Sequence, residues 1–420
     1  MQVSRAKRHE AFYRTVERHI GDAADAGVCR ATVCDPLLAG DSITVDGRRL
    51  LNFGSCMYMG LNVDPRLKQG AIDAIERFGP VYSSSPVYTS VDLYEALRER
   101  LERIFGHPVA IPTTTTLGHL GVLPVLITPD DAVLVDQQAH TSMHMATQVL
   151  IASGVDVTMV PHNDLERLEA MVEERHRSHD RIWYLADGVY SMFGDMAPVH
   201  DLAALQRRYD NLWLYYDDAH GFGWRGRFGR GYVLDQMELN ERMVVAVSLS
   251  KSFGTGGAAV VFPDPAMVRR VQVAGGTFVF SGPLHPAELG AAVASADIHL
   301  SNEQVDRSLR LRRQIRHIQE RMVDMQLPAA SLAATPIWFV WTGGHLQSIE
   351  LVQRLMDDGF YANPSAFPAV PMGKGGVRFT NTLYHDLDQI DALLDSLARH
   401  APGLVGEGIG VRVDLAAAGD

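Results

Sequence analysis

Cysteine is scarce in this chain: Cys29, Cys34 and Cys56 are the three present, and no two stand at a C-x-x-C spacing. So few thiols exclude a disulfide framework, argue against a thiolate metal cage and fit a reducing cytoplasm. Long apolar runs are also missing, since no segment reaches the about 18 uninterrupted apolar residues a membrane span requires. The opening stretch MQVSRAKRHEAFYRTVERHI carries charge throughout and lacks the apolar core of an export signal, so a soluble, unexported protein is expected. Positive charge is in deficit. With 38 basic against 50 acidic side chains the net charge is −12, which repels phosphate backbones and anionic membranes, so neither nucleic acid nor membrane is an expected partner. There is no internal repeat at roughly 20 to 50 residues and no low-complexity block, which sets aside solenoids and disordered chains.

What the chain does have is alternation. At 46% hydrophobic over 420 residues it can bury a large core. Short apolar runs read as buried strands at AVLVD (132–136), VTMV (157–160), IWYLA (182–186), LWLYYD (212–217), VVAVSL (244–249) and AAVVF (258–262). Helical patterns such as DLERLEAMVEERHR (164–177) and DLAALQRRY (201–209) lie between most of them. This pattern predicts an α/β domain over 51–290 with a mainly parallel sheet, whose ligands gather at the carboxyl ends of the strands. Residues 291–400 read as a smaller C-terminal α+β domain. The first 50 form an N-terminal arm with two β runs joined at Asp46-Gly47, and 401–420 a tail.

The predicted strand ends carry the chemistry. LYYDDAH closes one strand with Asp217 and Asp218 and sets His220 just beyond, while the next strand leads to Lys251. ADGVYSMFGD supplies Asp187, Ser191 and Asp195 after a third strand, and DQQAHTSMH brings His140 and His144 after a fourth. Taken singly, a strand-end Asp is most often a cap or turn former. An acid, two imidazoles and a lysine converging on one edge point further. A partly desolvated lysine amine is nucleophilic and forms an imine with an aldehyde cofactor. Pyridoxal phosphate needs that lysine, a carboxylate to keep its ring nitrogen protonated, a flat group on the ring, and amides with hydroxyls around its phosphate. The last can come from PTTTTLGHLGVL (112–123), where threonines precede an apolar helix.

In order and spacing, the segments LLNFGSCMYMGLNVDP, DGVYSMFGDMAPVHDLAAL, YYDDAHGFGWRGRFGRG, SLSKSFGTGGAAVV, FVFSGPLHPAEL and GVRFTNTLYHDLDQIDALL resemble the α-oxoamine synthases. These are fold-type I pyridoxal phosphate enzymes of the aspartate aminotransferase-like fold, and the likeness spans about residues 45 to 400. The resemblance implies that Lys251 carries the cofactor, Asp217 pairs with its ring nitrogen, His140 stacks on the ring, and His220 and Ser191 face its phenolic oxygen. Thr115, Thr116 and Ser248 then bind phosphate, Ser281 reaches the phosphate of a neighbouring subunit in a homodimer, and Arg378 holds the amino acid's carboxylate. Asp187, Cys56 and Ser85 fall at the substrate end. The implied activity is condensation of an amino acid with an acyl thioester and loss of carbon dioxide, giving an α-aminoketone. An aminotransferase or a lyase on the same fold is the alternative.

Several positions depart from the family pattern. Where relatives carry a Gly-Ser-Gly-Gly-Ser-Arg type loop, this chain has VYSSSPVYTS (81–90), so the arginine is Pro86. The family's asparagine is Cys56, its Ser-Gly-aromatic turn is the threonine run, and the histidine of the following helix is Tyr94. These departures suggest a carrier-protein thioester, or another carbon electrophile, in place of acyl-CoA. Other features have plainer readings. His140 and His144 at i, i+4 lack a third metal ligand, so no metal is expected, GFGWRGRFGRG (221–231) reads as a turn-rich loop, and RSLRLRRQIR (307–316) as a solvated helix face.

Overall fold

The computed structural model describes residues 5–404; the expected tail from 405 onward lies outside the described residues. The chain separates into two compact units. One comprises the chain up to Tyr58, Met192–Asp195 and the chain from Arg310 on; the other comprises Met59–Ser191 and Met196–Leu309. The expected arm is therefore part of a larger body, and the changeover at 309/310 falls inside the helix Asn302–Asp324 instead of near 290.

In the first unit, β1 (Ser42–Val45) and β2 (Arg48–Asn52) form the expected antiparallel hairpin. Asp46 and Gly47 both turn with positive φ, 48° and 75°, the geometry that matches the twist of a two-residue hairpin.

The second unit is built on seven strands: β3 (Val109–Ala110), β4 (Ala132–Asp136), β5 (Asp156–Val160), β6 (Ile182–Asp187), β7 (Leu212–Asp217), β8 (Met243–Ser248) and β9 (Ala258–Val261). Their spatial order is β3-β9-β8-β7-β6-β4-β5. Pairs from β5 through β8 are parallel, while β9 is antiparallel to both β8 and β3. Strands β4, β6 and β8 are buried throughout, as parallel strands covered on both faces must be. At the edge, β5 is half exposed, with Met159 61% accessible, so VTMV is a strand but not the buried one its apolar run suggested.

One face of this sheet presents Val133, Val135, Trp183, Leu185, Tyr215, Val244, Ala246 and Val260 to Val122, Leu123, Met143, Ala146, Leu150 and Val271 of the covering helices. Burying each Val, Leu or Met side chain among them contributes about 1.5–3 kcal/mol. Helix starts are fixed by side chains: Asp64 and Asp264 cap helices that open on Pro65 and Pro265, and the Asp164 carboxylate accepts from the Arg167 N–H at 2.9 Å. The strand order reverses between β4 and β6, and open α/β sheets bind their ligands beyond the carboxyl ends at such a reversal.

Back in the first unit, β10 (Ile337–Gly343), β12 (Asn363–Ser365) and β13 (Gly375–Thr380) make a second three-stranded sheet with β13 central, while β11 (Phe360–Tyr361) pairs in parallel with β2. Phe193 packs edge-on to Phe339, and the Thr335 hydroxyl donates to the Gly194 carbonyl at 2.8 Å, which ties Met192–Asp195 into this unit.

Candidate active site

Asp217 is the last residue of β7, in register with Asp187 at the end of neighbouring β6. Both are buried. Two carboxylates at adjacent strand ends resist joint ionisation, and their surroundings separate them. Oδ2 of Asp217 stands 2.9 Å from Nε2 of His119, and Oδ1 accepts the Ala219 N–H at 3.1 Å. Although burial opposes ionisation, the His119 hydrogen bond and charge, followed by Lys251 and His140, outweigh it and lower Asp217 to about 2. Asp187 moves the other way: burial, then the charge of Asp217, pushes its carboxyl well above the usual range. It accepts the backbone N–H of His140 at 2.9 Å, a bond that links the start of the helix after β4 to the end of β6, across the strand-order reversal.

His140 is the N-cap of the helix Thr141–Ala152. Its Nδ1 accepts from the Ser142 N–H at 3.3 Å and lies 2.6 Å from the Ser142 hydroxyl, which fixes the ring. Burial lowers its pKa against the pull of Asp217, and the charges of Lys251, His119 and His144 lower it further. The ring is thus neutral at physiological pH.

Lys251 sits in a tight turn three residues past β8. Gly254 N–H donates to the Lys251 carbonyl at 3.1 Å, Thr255 N–H to Leu249 at 2.9 Å, and Leu249 N–H to Gly257 at 3.0 Å. Gly254 turns at φ +80°, where a side chain would stand 2.8 Å from the Asn62 backbone nitrogen, so glycine is required. Ser248 is buried at the strand end, its Oγ 2.7 Å from that of Ser250. Thr114 caps the helix Thr115–Leu126 by accepting from the Leu117 N–H at 3.1 Å. Thr115 and Thr116 therefore occupy the first helical turn, whose N–H groups lack intrahelical partners.

His220 is buried in the turn after β7, where its carbonyl accepts the Trp224 indole N–H at 2.7 Å. Ser191 is half-buried close after β6. Ser281 is half-buried just past the helix Gly276–Phe280, and the Ser85 hydroxyl donates to the Val279 carbonyl at 2.7 Å. Ser85 and Ser281 line one cavity of about 360 Å³. All these residues belong to the second unit. Arg378 and Cys56 belong to the first, where Nη2 of Arg378 donates to Sγ of Cys56 at 3.6 Å.

This centre sits on a fold that comparison with known proteins defines. A model of the family described as aminotransferase class I and II matches residues 50–397. The chain belongs to that family. Among its relatives, an 8-amino-7-oxononanoate synthase from Symbiobacterium thermophilum is 32% identical over 360 residues, covering 84% of this chain and 89% of its own. One from Chromobacterium violaceum is 32% identical, covering 89% and 94%. Among solved structures, the serine palmitoyltransferase of Sphingomonas wittichii superposes with a TM-score of 0.85 at 23% identity, over 94% of this chain and 99% of its own. A serine palmitoyltransferase from S. paucimobilis with bound PLP gives 0.85 at 22% identity, over 93% and 97%. These neighbours show the fold-type I architecture, and the resemblance to α-oxoamine synthases holds.

His119 is the residue that sequence reading passed over. It lies within PTTTTLGHLGVL, where the threonines drew attention, yet the signal was present: one imidazole in an otherwise apolar helix must find a buried partner. Its second ring nitrogen lies 2.8 Å from the Tyr215 hydroxyl, so the support of Asp217 extends one residue deeper.

Proposed function

We propose that this protein is a pyridoxal phosphate-dependent acyltransferase that joins the α-carbon of an amino acid to an acyl thioester, releases carbon dioxide and yields an α-aminoketone. The observation that carries this reading is the buried, ionised Asp217, held by His119 at 2.9 Å within the electrostatic reach of Lys251. A buried anion with one imidazole partner suits the protonated ring nitrogen of the cofactor. When bound, pyridoxal phosphate supplies an electron sink for negative charge at the amino acid's α-carbon.

The chain's own residues do the rest. Asp217 would hold the proton of the ring nitrogen, neutral His140 would cover the ring, and His220 and Ser191 would hydrogen-bond its phenolic oxygen. The first turn at Thr115 and Thr116, with Ser248, takes the phosphate. Lys251 anchors the cofactor, and its amine then removes and returns a proton at the α-carbon. The resemblance assigns Arg378 to the substrate carboxylate and makes Asp187, Cys56 and Ser85 candidate substrate contacts. A carrier-protein thioester fits the lost loop arginine at Pro86 better than free acyl-CoA does. A second copy of the chain fits the apolar surface around Ser281, where Phe280 is 89% and Val81 53% exposed on the same cavity. Among the described residues no helix is long and apolar enough to cross a membrane, and a cytoplasmic enzyme is consistent with that.

Borohydride reduction of the holoenzyme followed by peptide mapping should leave the cofactor mass on the peptide that contains Lys251. With each amino acid and thioester pair, carbon dioxide release should match thioester consumption. Appearance of a keto acid and aminated cofactor would point to an aminotransferase instead. A best rate with free short-chain acyl-CoA and glycine or alanine would exclude the carrier-protein preference.

A further inference from the structure

His299, the last residue of the helix Pro286–His299, is fully buried in the second unit. Both of its ring nitrogens face carbonyl oxygens: Nδ1 lies 2.9 Å from that of Ser295, one helical turn earlier, and Nε2 3.2 Å from that of Gly223. Burial, against the pull of both carbonyls, lowers its pKa to about 4, so the ring is neutral and has one N–H to give. The Ser295 carbonyl already accepts within the helix, whereas Gly223 lies in the turn after β7, so the proton belongs on Nε2. A buried imidazole among aromatic rings is costly unless such a bond offsets it.

The turn held in this way carries His220, three residues before Gly223, and the neighbouring turn carries Lys251, two before Phe253. The His299 ring centre stands 4.6 Å from that of Phe253 and, nearly parallel, 6.2 Å from that of Phe222, while Phe222 and Phe253 stack at 5.3 Å. Ser295 donates its hydroxyl to the Phe253 carbonyl at 2.7 Å. The two turns also meet directly: Gly223 turns at φ +93°, where an added Cβ would stand 2.5 Å from that of Ser252. One helix thus bonds to both turns, through Ser295 to that of Lys251 and through His299 to that of His220. Neither side chain is among those assigned above to the cofactor or the substrate.

We propose that His299 and Ser295 are positioning residues that fix the spacing of His220 from Lys251, and so set how tightly the cofactor anchored on Lys251 holds its proton. The inference rests on the roles proposed above for His220 and Lys251. Removing either bond leaves the aromatic rings packed but lets one turn shift against the other. A hydrogen bond from His220 favours the charged form of the phenolic oxygen, so loosening it raises the proton affinity of the bound cofactor.

The test is a titration of the full-length holoenzyme from about pH 5 to pH 10, following the absorbance of the bound pyridoxal phosphate. Asp217, His140 and Asp187, which share the electrostatic surroundings of Lys251, are left in place by every variant of the helix. His299→Phe keeps an aromatic ring in the stack and removes the N–H, so the midpoint should rise by at least about 0.5 pH unit. His299→Gln, which returns an N–H, should recover part of that shift. Ser295→Ala, a smaller change, should move the midpoint in the same direction. A His299 that serves packing alone predicts a lowered thermal unfolding temperature with the midpoint unmoved, and that result overturns the proposal. Should His299→Phe fail to fold, an unmoved midpoint in Ser295→Ala overturns it equally. His220→Asn separates this inference from the reading beneath it. A midpoint that rises in His220→Asn but not in His299→Phe sinks the positioning role alone, and one that moves in neither sinks the cofactor role of His220 as well.

Discussion

The imidazole of His119 ties the carboxylate of Asp217 to the hydroxyl of Tyr215, at 2.9 Å through one ring nitrogen and 2.8 Å through the other. Burial pushes the Tyr215 hydroxyl well above its usual range, so it keeps its proton, while Asp217 stays ionised down to about pH 2. Because the folded-state pKa of Asp217 lies below the unfolded value, its contribution to stability is present above about pH 4 and is lost as pH falls toward 2. His119→Ala removes the group that opposes burial. Cofactor affinity should fall about 100-fold, or ~3 kcal/mol, as for breaking a buried charged hydrogen bond. Equilibrium dialysis of pyridoxal phosphate across pH 5 to 8 measures it, and an unchanged dissociation constant would remove His119 from the site.

Asp187 should behave as a neutral acid. Asp187→Asn preserves an acceptor for the His140 N–H and leaves Asp217 as the anion of the pair, so cofactor binding should change less than about threefold. Asp187→Ala leaves that buried N–H without its acceptor, at a cost of about 1–3 kcal/mol. If the asparagine variant loses cofactor as fully as the alanine variant, Asp187 acts through a charge.

Asp218 gives the opposite pH signature to Asp217. Burial, then the charge of Asp217, raises it to about 8, against the bond from the Val233 N–H at 2.9 Å. A raised carboxyl pKa means that the stability it contributes is whole below about pH 4 and declines as pH climbs to 8. The slope is about 1.4 kcal/mol per pH unit. Asp218→Asn should flatten that decline, so its urea midpoint should match wild type near pH 4 and exceed it near pH 9. Parallel curves for the two proteins would contradict a protonated Asp218.

Gly254→Ala tests the turn that presents Lys251. At φ +80°, with its new carbon 2.8 Å from the Asn62 nitrogen, the alanine should cost about 1–3 kcal/mol. Thermal unfolding should shift down by several degrees, and borohydride should fix less cofactor to the Lys251 peptide. Gly276→Ala, with nothing within 4 Å of the added carbon, is the matched control.

Much of this molecule can be read from its sequence where residues act in runs. The six apolar runs all became strands of one sheet, and in β4, β6 and β8 the run is continuous because a parallel strand covered on both faces has no solvent side. Asp217 and Lys251 were visible because a polar residue at or shortly past the end of such a run marks a strand end. Elements decided by long-range contact were not visible. Val109–Ala110 is two residues long and exists as a strand only through pairing with β9, and Phe360–Tyr361 only through β2. The exposure of β5 was hidden for the same reason: an edge is defined by a missing neighbour, which local pattern does not encode. His119 was missed because its partner lies 98 residues away.

The pairing of β2 with β11 also sets a timetable for the molecule's synthesis. Leu51 and Asn52 meet Phe360 and Tyr361 across about 300 residues of intervening chain, while the second unit lies between Met59 and Leu309. A ribosome releasing residues from the amino end delivers everything the seven-stranded sheet requires long before it delivers β11. The first unit's hairpin must wait, with one edge open, until nearly seven-eighths of the protein has been made. Premature termination before Phe360 would thus yield a chain with a fully supplied central sheet and an unsealed β2, an edge ready to pair with another chain.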